Sequence, residues 1–232
     1  MSSLIPESIA IIGMSCRFPN GANDPEEYWK LLAEGRDAWS KVPQARWNED
    51  AFHHPNPSMN GSTNHRGGYF LDQDLTTFEP SFFGISGEEA KAMDPQQRVL
   101  LETTYEALEN AGIPVELLRG SKTSVHIALF SRDYDRLMYK DVDSISKYHM
   151  IGSGDAILSN RISHAFDLRG PSITLDTACS GSLVALHQAC QSLRTGECNI
   201  ALVGASNLIL LPDQLIPMSL ARYDLTPLIT LS

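Results

Sequence analysis

The sequence predicts an α/β fold, a mainly parallel sheet covered by helices. Three observations carry the prediction. Apolar, β-prone runs recur at 123–130, 172–178 and 200–205, each of strand length and each bounded by Gly, Pro or polar residues. Segments with helical apolar spacing are opened by the pairs Asp24-Pro25 and Asp94-Pro95 and closed by Gly35, Gly112 and Gly196. An Asp cap, a proline at the first helical position and a glycine past the last turn are the local chemistry of helix ends. Strands separated by helices run in one direction and hide both sheet faces, so the sheet is expected to be parallel.

In chain order, Ser8-Ile9-Ala10-Ile11-Ile12-Gly13-Met14 reads as a buried strand ending at a glycine, followed by a loop over 16–21. The helix opened by Asp24 has Glu26 and Glu27 in its first turn, where the helix dipole favours acids. From 37 to 64, Pro, Asn, His and Trp accumulate without a period, which predicts an ordered loop insertion with short turns. The Asp94-Pro95 helix places Leu101, Tyr105 and Leu108 on one face and ends near Gly112 and Pro114. Residues 154–164 read as helical, 179–195 as a central helix and 200–205 as another buried strand. Leu183, Val184, Ala185, Leu186, Ala189 and Leu193 fall on several sides of the central helix, which is therefore expected to be covered all round.

Composition narrows the function classes. A hydrophobic content of 42% supports a packed core. The formal net charge of −10, with no run of Lys and Arg, argues against a nucleic-acid surface, so no nucleic-acid partner is expected. Cys16, Cys179, Cys190 and Cys198 form no C-x-x-C pair and no Cys/His zinc spacing; no metal and no cofactor of the chain's own are expected. Residues 1–7 carry no signal pattern, and the longest nearly apolar stretch, 200–211, is too short and too interrupted to span a bilayer. A reducing, cytoplasmic location without membrane partners is expected.

Other patterns read as structural. Gly152-Ser153-Gly154 lacks the third glycine and the preceding strand of a dinucleotide loop. Arg66-Gly67-Gly68-Tyr69-Phe70 reads as a turn entering a strand, Asp133 and Asp135 as solvated charges, and Trp29, Trp39 and Trp47 as packing residues. His164 and His187 read as packed helix residues.

Chemistry concentrates at Cys179. It falls between the strand-like run 172–178 and the small-residue apolar stretch 180–186, so its sulfur is placed at a sharp strand-to-helix turn. The unpaired N–H groups and partial positive charge of a helix start favour thiolate over thiol. They also favour an oxyanion developing on a bound substrate.

The string Asp176-Thr177-Ala178-Cys179-Ser180-Gly181-Ser182-Leu183 resembles the active-site signature of β-ketoacyl synthases, the condensing domains of fatty acid and polyketide synthases. Four other strings resemble further motifs of that family, in the right order. They are Ile9-Ala10-Ile11-Ile12-Gly13-Met14-Ser15-Cys16-Arg17-Phe18-Pro19, Phe82-Phe83-Gly84-Ile85-Ser86, Met93-Asp94-Pro95-Gln96-Gln97-Arg98 and Leu158-Ser159-Asn160-Arg161-Ile162-Ser163. Together they cover roughly residues 8 to 222 and are most similar to the fungal type I highly reducing polyketide synthases.

The resemblance implies the N-terminal half of a thiolase-like fold, in which two similar α/β halves pack as layered helices and sheets, usually as a homodimer. It implies acyltransferase chemistry in secondary metabolism. Cys179 takes an acyl group from the phosphopantetheine thioester of an acyl carrier protein, and the carbanion of a decarboxylated malonyl-type extender then attacks the acyl-cysteine. By position Cys179 carries over as the nucleophile and its backbone N–H as one oxyanion donor. Ser180, Gly181 and Ser182 become small neighbours that allow close packing, with Gly181 standing where family members commonly have Ser.

The family also draws two histidines, one in a His-Gly-Thr-Gly-Thr run, and a second oxyanion donor from its C-terminal half. None of His53, His54, His65, His126, His149, His164 and His187 is followed by glycine, so neither histidine carries over. His187, eight residues past Cys179, is about 12 Å along the helix axis. Residues 1–222 are thus expected to form the β-ketoacyl synthase N-terminal region, and 223–232 a non-matching tail of the kind that truncation, a frame change or unspliced sequence leaves. The function expected is that of a truncated ketosynthase carrying the acyl-accepting Cys179 and not competent alone. The alternative is a non-catalytic remnant that binds a synthase subunit or acyl carrier protein.

Overall fold

A computed structural model describes residues 8–223. They divide into two compact units, 16–74 with 208–223, and 8–15 with 75–207. The tail read from the sequence lies, apart from Tyr223, outside the described residues.

The first unit opens with α1 (Pro25–Ala33), which starts as its sequence predicts: the Asp24 side chain accepts from Glu27 N, and Gly35 ends the helix with a left-handed φ of 62°. Lys30 pairs back to Glu26 and Glu27 at 3.1 and 2.9 Å. Trp29 departs from its reading as a packing residue. α1 buries only Leu31, and Trp29 remains 68% exposed. The loop insertion is ordered by local caps, such as Asn48 accepting from Asp50 N at 3.2 Å, and by an antiparallel ladder between β1 (Ser40–Lys41) and β2 (Gly67–Gly68). Trp47 lies edge-on to Phe70, ring centroids 5.8 Å apart.

The second unit holds the sheet. Its elements are α2 (Gly87–Ala92), α3 (Pro95–Asn110), α4 (Val115–Leu118), β3 (Ser124–Leu129), α5 (Asp133–Met138), α6 (His149–Ser153), α7 (Ile157–Ala165), β4 (Ser172–Leu175), α8 (Gly181–Arg194) and β5 (Ala201–Ser206). A last helix, α9 (Leu215–Leu220), returns to the first unit. The three strands are parallel in the order β4-β3-β5, with Val125 opposite both Ser172 and Leu202. β3 is buried along its whole length. Val125, Ile127 and Leu129 join one core with Leu101 and Leu108 of α3 and Leu158 and Ile162 of α7. Among the described residues, no helix is long and apolar enough to cross a membrane.

Several expectations are corrected. Residues 8–14 form no strand: Ile11, Ile12 and Met14 are 71%, 57% and 55% exposed. An apolar run needs a ladder partner to be a strand, and this one is tied to a helix instead, with Met14 N donating to Asn110 Oδ1 at 2.9 Å and Ser15 Oγ to Thr103 O at 2.6 Å. β5 is half-exposed, with Val203 and Ala205 exposed on one of its faces. The helix read at 154–164 begins only at Ile157. α2 and α6, of six and five residues, are too short to show a period and went unread. His164 and His187 are exposed because each lies two residues past an inward position, Ile162 and Ala185, about 200° round its helix. Asp133, read as solvated, is buried.

Asp94 combines a cap with a buried charge. One carboxylate oxygen accepts from Gln96 N at 2.8 Å and the other from Gln96 Nε2 at 3.2 Å. Burial pushes the carboxyl up to about 6, against the opposing pull of the Gln96 bonds. The folded chain therefore holds this proton more tightly than the unfolded chain. Stability tied to the proton is present below the ordinary carboxylate range and lost as pH rises through about 6. Asp94→Asn keeps an acceptor for Gln96 N and removes the buried charge. Its NH2 replaces the acceptor of Gln96 Nε2 by a donor, so the readout is the pH dependence: the variant should gain roughly 1–2 kcal/mol on the native chain between about pH 4 and about pH 8, as read from denaturant melts.

Candidate functional site

Parallel α/β sheets present ligand sites at the carboxyl ends of their strands. β4 ends there at Leu175, and the chain passes through Asp176, Thr177 and Ala178 to Cys179, two residues before α8 begins. Cys179 stands on the turn, as the sequence predicts, and the helix read from 179 begins two residues later, at Gly181. Ala178 adopts a left-handed φ of 54°, which costs a non-glycine residue about 1–2 kcal/mol. Local bonds hold that conformation. Asp176 Oδ1 accepts from Ala178 N at 2.8 Å, Ser180 Oγ donates to Thr177 O at 2.8 Å, and Gly181 N donates to Ala178 O at 3.0 Å. Cys179 is left exposed just ahead of a 14-residue helix.

The seating of α8 decides where that turn sits. Gly181 is buried, and a Cβ at this position would stand 2.8 Å from the Ala128 Cβ of β3. Helix and strand approach this closely because neither residue has more side chain to offer. The glycine is thus matched by a small residue across the contact.

A polar network, missed in the sequence, binds the neighbouring strand ends. Gln96 Nε2 donates to Ser131 O just past β3 at 3.0 Å, and Ser206 Oγ at the end of β5 donates to Gln96 Oε1 at 3.1 Å. Next to it Arg161, almost wholly buried, pairs with Glu89 and donates to Gln97 Oε1 at 3.3 Å and Ile151 O at 3.0 Å. This clamp ties α2, α3, α6 and α7 together. The only sequence signal was that Gln96, Gln97 and Arg161 all belong to strings already singled out, 93–98 and 158–163.

The other thiols have different settings. Cys198 is buried beside Ser124 Oγ at 3.2 Å, and that hydroxyl lies 3.2 Å from His126 Nε2. Burial pushes the His126 imidazole down, with Glu197 pulling the other way. Cys16 and Cys190 are half-buried.

The fold is an α/β domain with an exposed cysteine on the turn between a parallel strand and a long helix. The family model for the N-terminal domain of beta-ketoacyl synthase matches residues 6–227, and the chain belongs to that family. It is 60% identical to a highly reducing polyketide synthase of Stachybotrys chartarum and 61% identical to one of Sordaria araneosa. Each alignment covers 94% of this chain but only 9% and 7% of the relative, so the chain spans less than a tenth of the length of these proteins. Among solved structures it matches the oxazolomycin ketosynthase domain OzmH KS7 of Streptomyces albus JA3453, at a TM-score of 0.85 and 34% identity over 94% of this chain and 38% of that one. It also matches a ketosynthase from module 6 of the bacillaene synthase of Bacillus subtilis 168, at 0.80 and 36% over 93% and 34%. The thiolase-like fold and the N-terminal ketosynthase segment of fungal highly reducing polyketide synthases, both expected from the five motifs, agree with these matches.

Two outcomes follow from the geometry. Alkylation of the native chain should label Cys179 first and Cys198 last, because the first is exposed and the second is 2% exposed; peptide mass spectrometry over a time course reads the order. Gly181→Ala should destabilise by roughly 1–3 kcal/mol despite the better helix propensity of alanine, and Ala128→Gly should recover part of the loss in a double-mutant melt.

Proposed function

We propose that Cys179 is the acyl-accepting nucleophile of a ketosynthase. The observation that carries the reading is the exposed Cys179 on a strained turn with a helix start directly behind it. Its thiolate sulfur attacks the thioester carbonyl carbon of an acyl group carried on the phosphopantetheine of an acyl carrier protein. The tetrahedral oxyanion, met by the Cys179 N–H, collapses. The pantetheine sulfur then leaves and takes up a proton. For condensation, a malonyl-type extender loses carbon dioxide and its carbanion attacks the acyl-cysteine carbonyl, releasing the Cys179 thiolate. The chain's partner is an acyl carrier protein or another part of a synthase, in the cytoplasm, with the phosphopantetheine thioester as substrate.

That second step calls for neutral donors beside the developing enolate, and no histidine of this sequence is followed by glycine. The 232-residue chain is therefore proposed to accept an acyl group without completing the condensation by itself. A second reading, a non-catalytic remnant that binds a synthase subunit or carrier protein, is favoured by Leu183 and Leu186, which stand 70% and 39% exposed on α8.

Incubation with an acylated carrier protein should give an acyl-cysteine adduct at Cys179 by mass spectrometry, absent in Cys179→Ala. No ketoacyl product should appear with malonyl carrier protein, because each missing preorganised donor typically costs about 10²–10³ in rate. A Cys179-dependent ketoacyl product would refute the incomplete site. Carrier binding by both the native chain and Cys179→Ala without any adduct would decide for the second reading.

A further inference from the structure

Asparagine followed by glycine occurs twice, at Asn20-Gly21 and Asn60-Gly61, and the two pairs stand in opposite chemical settings. An asparagine side-chain carbonyl is an electrophile toward the backbone nitrogen that follows it. Glycine, having no Cβ, leaves that nitrogen most accessible. Space is equal at the two sites. Gly21 and Gly61 each have a φ of 73°, and nothing lies within 4 Å of a Cβ built on either.

What differs is the nitrogen. Gly21 N donates to Asp72 Oδ2 at 2.7 Å, and Asn20 Nδ2 donates to Asp37 O at 3.4 Å. The bonds from Phe18 N to Ala22 O and from Asn23 N to Gly21 O close the turn around the pair. Loss of the Gly21 amide proton would set a nitrogen anion against the Asp72 carboxylate, like charge against like. Asn60 and Gly61, by contrast, are both exposed. The bonds that shape their loop run from Met59 N to Asn56 O, from Ser62 Oγ to Met59 O and from Thr63 N to Phe52 O, and engage neither residue.

We propose that Asn60 is a site of spontaneous modification, in which the Gly61 nitrogen closes on the Asn60 side chain. The new C–N bond gives a cyclic succinimide and expels ammonia, which carries off the Gly61 amide proton. Water then opens the ring to an aspartyl or isoaspartyl residue. Water is the sole co-reactant, and no electron changes hands. The product adds one negative charge to a chain of formal net charge −10, and the isoaspartyl form inserts a methylene into the loop backbone.

The folded chain, kept at mildly alkaline pH in heavy-oxygen water and peptide-mapped by mass spectrometry, tests the assignment. Heavy oxygen should enter at Asn60 at least about tenfold faster than at Asn20, the rate equivalent of one hydrogen bond to a charged group. In denaturant the two sites should converge. Asp72→Ala should speed Asn20 and leave Asn60 unchanged. Equal rates at the two sites in the folded chain overturn the proposal. So does a glycan mass on Asn60, whose string Asn60-Gly61-Ser62 has the form of a glycosylation acceptor.

Discussion

The two-sided burial of β3 is the constraint on which the rest depends. A strand covered on both faces and paired on both edges leaves no side chain without a fitted neighbour. On one face Val125, Ile127 and Leu129 complete the apolar cluster shared with α3 and α7. On the other, Ala128 is small enough for α8 to come down on it at Gly181. The place of Cys179 is a consequence. Its turn must leave β4, the strand beside β3, and enter a helix already seated on β3, within a few residues. A left-handed Ala178 is how the chain makes so sharp a change of direction.

Polar groups buried around that core set limits of opposite sign. Asp94, pushed up to about 6 by burial, weighs against the fold on the alkaline side. His126, pushed down by burial, weighs against it on the acid side, because the unfolded chain accepts a proton that the folded imidazole refuses as pH falls through the ordinary range. Gln96 and Arg161 work differently. Their bonds to Ser131 O, Ser206 Oγ, Glu89 and Ile151 O satisfy backbone and side-chain groups that the sheet alone leaves without partners. They also join segments far apart in sequence, which is how a short polar string comes to hold the strand ends in register.

How much of this could be read in the sequence follows the range of the forces involved. Helix ends were legible because caps are local: Asp24, Gly35, Asp94 and Gly112 act on residues within a turn of themselves. The turn at Cys179 was legible for the same reason, since an apolar run meets a small-residue run there. The strand assigned to 8–14 failed because apolar content does not name a ladder partner, and this segment's partner is the flank of α3. The Gln96 network was invisible because Ser206 lies 110 residues away. Asp133 looked solvated because nothing local tells a surface acid from one enclosed at the start of α5, four residues past β3.

α8 shows how far packing alone accounts for this chain. Its inward positions, Gly181, Ala185, Ala189 and Ser192, are small, whereas Leu183 and Leu186 point outward, the reverse of an ordinary surface helix. The close approach to β3 dictates the small residues. It does not explain the leucines, each worth about 1.5–3 kcal/mol when removed from water. Small residues inward and large apolar ones outward are the pattern on which the proposed binding role of this face rests. The proposed thioester attack at Cys179 gains from the exclusion of water around the developing oxyanion. Leu183 lies in the first turn of α8 and Cys179 on the turn just before it, so both stand at the same end of the helix.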